Sequence, residues 1–201
     1  MSCTIPNDRI KETIAFHGHV CPGLSYGIRA AELCLSRLGA NTADNPVVAV
    51  VETDMCGVDA IQFLTGCTFG KGNLIHRDLG KMAFSFYSRA TNEGFRAVIK
   101  PYVLGELNEE MRALMRKPEL SPEERSHLAA LRRAAQERIM TAPIEDIFEV
   151  GAPRTPCPRP ASILESLACE DCGERTMESR TRRFSGRTLC IPCFNAVEQK
   201  M

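Results

Sequence analysis

Val47-Val48-Ala49-Val50-Val51-Glu52-Thr53-Asp54-Met55-Cys56-Gly57 is the stretch on which the fold turns. Its first five residues form a continuous apolar run dominated by β-branched side chains, which reads as a strand buried on both faces. Polar residues end the run, and Cys56-Gly57 stand in the turn before a short helix predicted over Val58–Thr65 and stopped by Gly66. The junction between a buried strand and the helix after it is where α/β units place chemistry. Cys56 is therefore a candidate functional residue.

Upstream, residues 7–16 read as an opening helix with Ile10, Ile14 and Phe16 roughly along one side. The loop His17-Gly18-His19-Val20-Cys21-Pro22-Gly23 follows. Leu24, Ile28, Ala31, Leu35 and Leu38 then fall at helical spacing, with Gly39 in the position of a C-terminal cap. Downstream, Met82–Tyr87 and Phe95–Ile99 alternate as strands, and Asn92-Glu93-Gly94 supplies the turn of a hairpin. Glu106–Lys117 is a helix candidate. Ser121-Pro122-Glu123-Glu124 starts another, with a cap, a proline at the first position and a glutamate at the third. A short segment, Pro143–Phe148, closes the first domain, placed at 1–150. Pro153, Pro156, Pro158 and Pro160 mark 151–164 as a stiff linker. Residues 165–201 form a second domain.

That second domain carries Cys169-Glu170-Asp171-Cys172-Gly173 and Cys190-Ile191-Pro192-Cys193. A two-residue gap lets both thiolates of a pair reach one metal, and two such pairs at this separation make a tetrahedral four-sulfur zinc site. The expected ligands are Cys169, Cys172, Cys190 and Cys193. A hairpin is predicted around Ser185-Gly186, and Phe194–Gln199 reads as a helix; knuckle, hairpin and helix resemble a treble-clef zinc finger. So small a segment buries too little apolar surface to fold alone, so the metal supplies folding free energy. A site closed by four sulfurs is structural. Arg180, Arg182, Arg183 and Arg187 are interspersed with acidic residues, which favours a protein-docking finger over a nucleic-acid reader.

The first domain carries a second constellation. His17, His19 and Cys21 occupy alternate positions, and in an extended segment alternate side chains point the same way. With Cys56 they make a set of two imidazoles and two thiols suited to zinc, iron or a similar transition metal. The expected core site is His17, His19, Cys21 and Cys56, with a second transition metal, zinc first among them. Whether Cys21 or Cys67 completes it stays open, Asp54 is a further candidate, and Tyr87 could polarise a substrate or shift a thiol's pKa. Cys56, Cys67 and Lys71 are the candidate catalytic groups, a lysine being able to polarise a substrate or shift a thiol's pKa. Gly66-Cys67-Thr68-Phe69-Gly70-Lys71-Gly72 is not a P-loop: its glycines are one residue too close, and Gly72 stands where a hydroxyl should hold magnesium.

Composition narrows the classes further. The chain has 201 residues, 44% of them hydrophobic, and its 25 basic and 25 acidic side chains cancel. A balanced chain has no overall electrostatic pull on nucleic acid or an anionic membrane. No apolar stretch approaches the roughly 20 residues that span a bilayer, and the opening residues lack signal-peptide character. A cytoplasmic location is expected. There thiols stay reduced, so the ten cysteines read as metal ligands or reactive thiols rather than disulfides.

Three blocks together resemble a known family. They are Phe16-His17-Gly18-His19-Val20-Cys21-Pro22-Gly23; Glu52 through Gln62; and Thr65-Gly66-Cys67-Thr68-Phe69-Gly70-Lys71-Gly72-Asn73-Leu74. In this order and spacing they resemble the FmdE family, named for formylmethanofuran dehydrogenase, and the finger is similar to that of its longer members. The resemblance implies an α+β core with a mixed, largely antiparallel sheet, helices packed on it, and a homodimer. It also implies that the His-x-His loop and Cys56 line a cavity able to hold a metal, with Cys67 close by. The family name ties it to a molybdenum or tungsten enzyme of one-carbon metabolism, of which FmdE is not the catalytic part. The expectation is a metal-binding accessory or enzyme-like protein with room for a small-molecule ligand in the core cavity. A thiol-based metal-handling or redox-sensing protein and a zinc-finger regulator are the alternatives.

Overall fold

The computed structural model describes residues 3–197. The chain divides into two compact units, Met1–Pro160 and Ala161–Met201. In the first, helices α1 (Asn7–His17), α2 (Pro22–Leu38) and α3 (Gly57–Thr65) alternate with strands β1 (Val47–Val51) and β2 (Leu74–His76). Strands β3 (Ala83–Ser88) and β4 (Gly94–Ile99) follow, then helices α4 (Glu106–Met115), α5 (Pro122–Thr141) and α6 (Ile144–Ile147), then β5 (Phe148–Gly151). The sheet order is β2-β1-β3-β4-β5, with β1–β2 parallel and every other pair antiparallel. The expected mixed, largely antiparallel α+β core is the observed one. The parallel pair follows from α3, because parallel strands need a crossover and α3 supplies it.

Alternation along the strands sorts the side chains. Val47, Ala49, Val51, Phe84, Phe86, Phe95 and Ala97 face the helices and join the main core with residues of α2, α4 and α5. Val48, Val50 and Tyr87 form a smaller cluster on the other face, with Ile75 and Cys157. All five residues of β1 are buried, as the unbroken apolar run predicts.

Two strands of the first unit escape the sequence reading. β2 and β5 are the sheet's edges, of three and four residues, too short to show an alternating pattern. The first part of the proline-rich segment, expected as a stiff linker, is docked by hydrogen bonds. Tyr87 donates its hydroxyl proton to the Thr155 carbonyl (2.9 Å), Arg77 donates to the Thr155 hydroxyl (3.1 Å), and Arg89 donates to the Pro158 carbonyl (2.6 Å). β5 runs to Gly151, and the first compact unit extends to Pro160. Prolines forbid regular structure but not docking: their carbonyls still accept hydrogen bonds, and the outer sheet face offers donors.

Helix packing sets the positions of the candidate site residues. A Cβ on Gly27 of α2 would lie 2.1 Å from the Gly57 carbonyl oxygen, and one on Gly57 3.0 Å from the Gly23 carbonyl oxygen. Backbones this close leave no room for a side chain, so Gly23 and Gly27 make a groove for the start of α3. Arg29, buried on the same helix, donates to the carbonyls of Met140 (2.7 Å) and Ala142 (2.8 Å) and pairs with Glu32 (3.0 Å). It ties α2 to the end of α5. α5 opens as expected, with a reciprocal capping box between Ser121 and Glu124.

The second unit contains β6 (Ser166–Ala168) paired with β7 (Arg175–Met177), a 3-10 turn (Glu178–Arg180), β8 (Thr181–Phe184) paired with β9 (Arg187–Cys190), and α7 (Ile191–Ala196). Ser185 and Gly186, both at positive φ (48° and 79°), make the predicted hairpin turn. The final helix starts three residues before the predicted Phe194, at Ile191, and ends at Ala196. Glu198 and Gln199, expected in that helix, lie outside the described residues. No helix among the described residues is long and apolar enough to cross a membrane.

Candidate metal centres

The core centre forms where three elements meet. His17 is the last residue of α1, and the chain turns there because Gly18 caps the helix in the left-handed conformation (φ 88°). Cys21 is the N-cap of α2, its sulfur accepting the Leu24 amide proton at 3.4 Å. Cys56 arrives at the start of α3, seated against Gly23: a Cβ there would sit 3.4 Å from the Cys56 Cβ and 3.8 Å from the Cys21 sulfur. Ligand atoms of His17, His19, Cys21 and Cys56 all fall within 4.8 Å of one another. The expected group comes together, but by a different route. The His-x-His-x-Cys segment is a helix end, a turn and a helix start, not an extended strand.

His17 shows what the group is suited to hold. Its Nδ1 lies 2.7 Å from a carboxylate oxygen of Asp59. With Nδ1 donating to that carboxylate, the neutral ring carries its lone pair on Nε2. Nε2 is buried and has no hydrogen-bond partner among the described residues. A buried unpaired nitrogen costs free energy unless something fills its lone pair. The donors gathered with it are the His19 ring, 4.3 Å away centre to centre, and the two sulfurs. Burial first, then the neighbouring Cys21 sulfur, pushes the Cys56 thiol above its ordinary pKa. A cation between the two sulfurs would relieve the cost of ionising the Cys56 thiol beside its neighbour. The donor set thus fits a borderline transition metal such as zinc.

Asp59 is the functional residue that sequence reasoning missed. Its signal was its spacing: it stands three residues after Cys56, so both lie on one side of the first turn of α3.

Cys67 and Lys71 are elsewhere, which corrects the grouping of Cys56, Cys67 and Lys71 in one catalytic centre. Cys56 precedes α3 and Cys67 follows it, so the helix separates them by about 15 Å at ~1.5 Å per residue. Cys67 is fully buried, donates its thiol proton toward the Val47 carbonyl (3.4 Å), and is pushed up by burial. It packs as a core residue. Lys71 is exposed in the loop beyond it. Cys21, not Cys67, completes the core cluster. Asp54 is exposed and joins no ligand group among the described residues, while Tyr87 holds Thr155 on the outer sheet face. A ring of exposed apolar side chains flanks the cluster: Phe16 beside His17, Val20 between His19 and Cys21, and Met55 beside Cys56, each about half exposed. Phe16 also contacts the Phe63 ring of α3 (5.4 Å).

In the second unit, Cys169, Cys172, Cys190 and Cys193 make the other ligand group. The Cys172 and Cys190 sulfurs are 3.9 Å apart. Tetrahedral zinc–sulfur bonds of ~2.3 Å place sulfurs about 3.8 Å apart. The Cys190 amide donates to the Cys169 sulfur at 3.3 Å. That amide and those of the knuckle lower the Cys169 thiol to about 6, ready to ligate as thiolate. Cys169, Leu189 and Cys190 are the buried centre of the unit, with Phe184 packed against them.

A four-cysteine finger and an α+β core that gathers a second group of candidate ligands define a modular metal-binding protein. Residues 16–149, two thirds of the chain, match the family described as FmdE, molybdenum formylmethanofuran dehydrogenase operon, and the chain belongs to that family. Residues 162–199 match the prokaryotic dksA/traR C4-type zinc finger. A solved protein from Syntrophus aciditrophicus, described as tungsten formylmethanofuran dehydrogenase FmdE-like, is 25% identical. The match covers 96% of each chain with a TM-score of 0.63. The chain is also 29% identical over 188 residues to a probable S-adenosyl-L-methionine-binding protein of Archaeoglobus fulgidus. That match covers 89% of this chain and 50% of the relative, so the chain spans about half the relative's length.

Proposed function

We propose that this protein is a two-metal accessory component of FmdE type, with zinc folding the finger and a second transition metal held in the core by His17, His19, Cys21 and Cys56. The observation that carries this reading is the orphaned His17 Nε2, oriented by Asp59 and gathered with three other donors. Four protein ligands leave a tetrahedral ion without a vacant position, and a closed site favours holding or relaying a metal over activating water. Catalysis would need a fifth ligand position or release of one donor, for which the exposed His19 is the natural choice. A bound metal would supply Lewis acidity there. The chain's own part is to fix the His17 tautomer through Asp59, keep two sulfurs adjacent, and surround them with apolar surface. The link to one-carbon metabolism rests on the family's name.

The adjacent Cys21 and Cys56 sulfurs also suit a thiol-based metal-handling role. Metal analysis separates these readings from a purely structural one. The full chain should hold two metals, and His17→Ala or Cys56→Ala one, with the finger still loaded. Two metals retained in both variants would overturn the core assignment. Titrating the same preparations with S-adenosylmethionine tests whether the ligand named for the Archaeoglobus relative binds here.

A further inference from the structure

The sheet face away from the helices carries a further site, built from residues that belong to neither ligand group. Along β4, Phe95, Ala97 and Ile99 pack with the main core, while Arg96 and Val98 alternate to the other side. Arg96 is held there by a bidentate pair with Glu52, Nε to Oε1 at 2.6 Å and Nη2 to Oε2 at 2.7 Å, and both side chains are more than nine-tenths buried. Glu52 is fully engaged by this fork, and the pair is neutral as a unit. The remaining Arg96 nitrogen, Nη1, makes no hydrogen bond among the described residues.

Arg96 lines a cavity of about 500 Å³ together with Lys81, Arg154, Glu149, Met82 and Val98. The side chains of Lys81 and Arg154 are exposed and make no hydrogen bond or ion pair among the described residues, yet their charges help hold Glu52 ionised. With the Arg96–Glu52 pair self-neutralised, two cations face one carboxylate, leaving one uncompensated positive charge. Met82 and Val98 supply an apolar surface beside it. A buried ion pair is weak evidence for stability, since well-packed apolar residues commonly serve as well. One whose arginine lines a cavity beside two cations without partners among the described residues is suited to a ligand instead. The volume lies within the range of small-molecule sites, which combine apolar walls with a few placed polar groups.

We infer that this cavity binds a small organic acid carrying one carboxylate, with the acid group between Arg96 Nη1, Lys81 and Arg154 and its apolar body on Met82 and Val98. Charge-assisted hydrogen bonds are the strong ones, and arginine's fork is shaped for carboxylates.

The test uses the full chain with both metals bound. Calorimetry with hexanoate and benzoate should show saturable binding, and hexanamide, which lacks the charge, should bind at least about tenfold more weakly. Lys81→Gln/Arg154→Gln changes two exposed side chains and should weaken the acids by a similar factor, with metal content and unfolding midpoint unchanged. Binding of hexanamide as tight as hexanoate, or acid binding undiminished in the double variant, would overturn the proposal. Sedimentation of the same samples covers another occupant. If neither acid binds and the double variant alters oligomeric state, the cavity is an interface between copies and the proposal is wrong.

Discussion

At the scale of single residues, the proposed core centre gives Asp59 a part beside the four candidate ligands, because it holds the His17 ring at 2.7 Å. A carboxylate hydrogen-bonded to a ligating histidine fixes its tautomer and raises its basicity, and losing such a partner costs about 10–100-fold in metal affinity. Asp59→Asn keeps the shape but removes the charge. It should weaken the core metal by that factor while leaving the finger's zinc in place. Competition with a chromogenic chelator measures this, and unchanged core affinity would remove Asp59 from the centre. The ligands themselves were legible because their residue types are rare and clustered: two of four histidines and a cysteine within five positions. Asp59 was not, because an aspartate in the first turn of a helix is common, and its role appears only when the end of α1 is brought against α3. Cys67 was misplaced for the complementary reason. Closeness in sequence to the Cys56 block hid the helix length between them, and a thiol's burial cannot be read from its neighbours.

At the scale of elements, the α2–α3 crossing decides whether the centre forms. Gly27→Ala would put a methyl group into the Gly57 carbonyl, and neither backbone can yield without moving a ligand-bearing helix end. Overpacking typically costs 1–3 kcal/mol, and a clash with backbone belongs at or above the top of that range, at about 3 kcal/mol. Denaturant unfolding should show the loss of stability, and metal analysis should show the core site emptied before the finger. A variant with an unchanged midpoint and two metals would mean that the helices slide freely, contrary to the packing. Long elements with clear periodicity, α2, α5, β1 and the β3–β4 hairpin, were readable from sequence. The edge strands β2 and β5 were not. Each makes its hydrogen bonds to one neighbour over three or four residues, so pairing rather than pattern defines it.

At the scale of the molecule, the two units have unlike sources of stability. The core buries a large apolar cluster between sheet and helices, whereas the finger's buried centre is Cys169, Leu189 and Cys190. Metal binding to such a unit is most of its folding free energy. Strong chelation should therefore expose 165–197 to protease while 3–160 resists, with most helical circular dichroism retained. Simultaneous digestion of both units would show the core to be equally metal-dependent. The proline-rich segment shows what sequence could and could not deliver at this scale. Its prolines correctly ruled out helix and sheet interior, but the donors that dock it, Arg77, Tyr87 and Arg89, lie far away in the chain.

The clamp made by Arg29 has a bearing on how the protein is born. Its guanidinium is buried against the carbonyls of Met140 and Ala142, more than a hundred residues later in the chain. On the ribosome, α2 is complete long before those carbonyls exist. Until they emerge, the guanidinium has Glu32 of its own helix but lacks the two carbonyls that it reaches in the folded core. Closure of the core is thus a late event set by long-range contacts, which are slow to make. The finger, whose ligands span only Cys169 to Cys193, can close on zinc as soon as it leaves the tunnel.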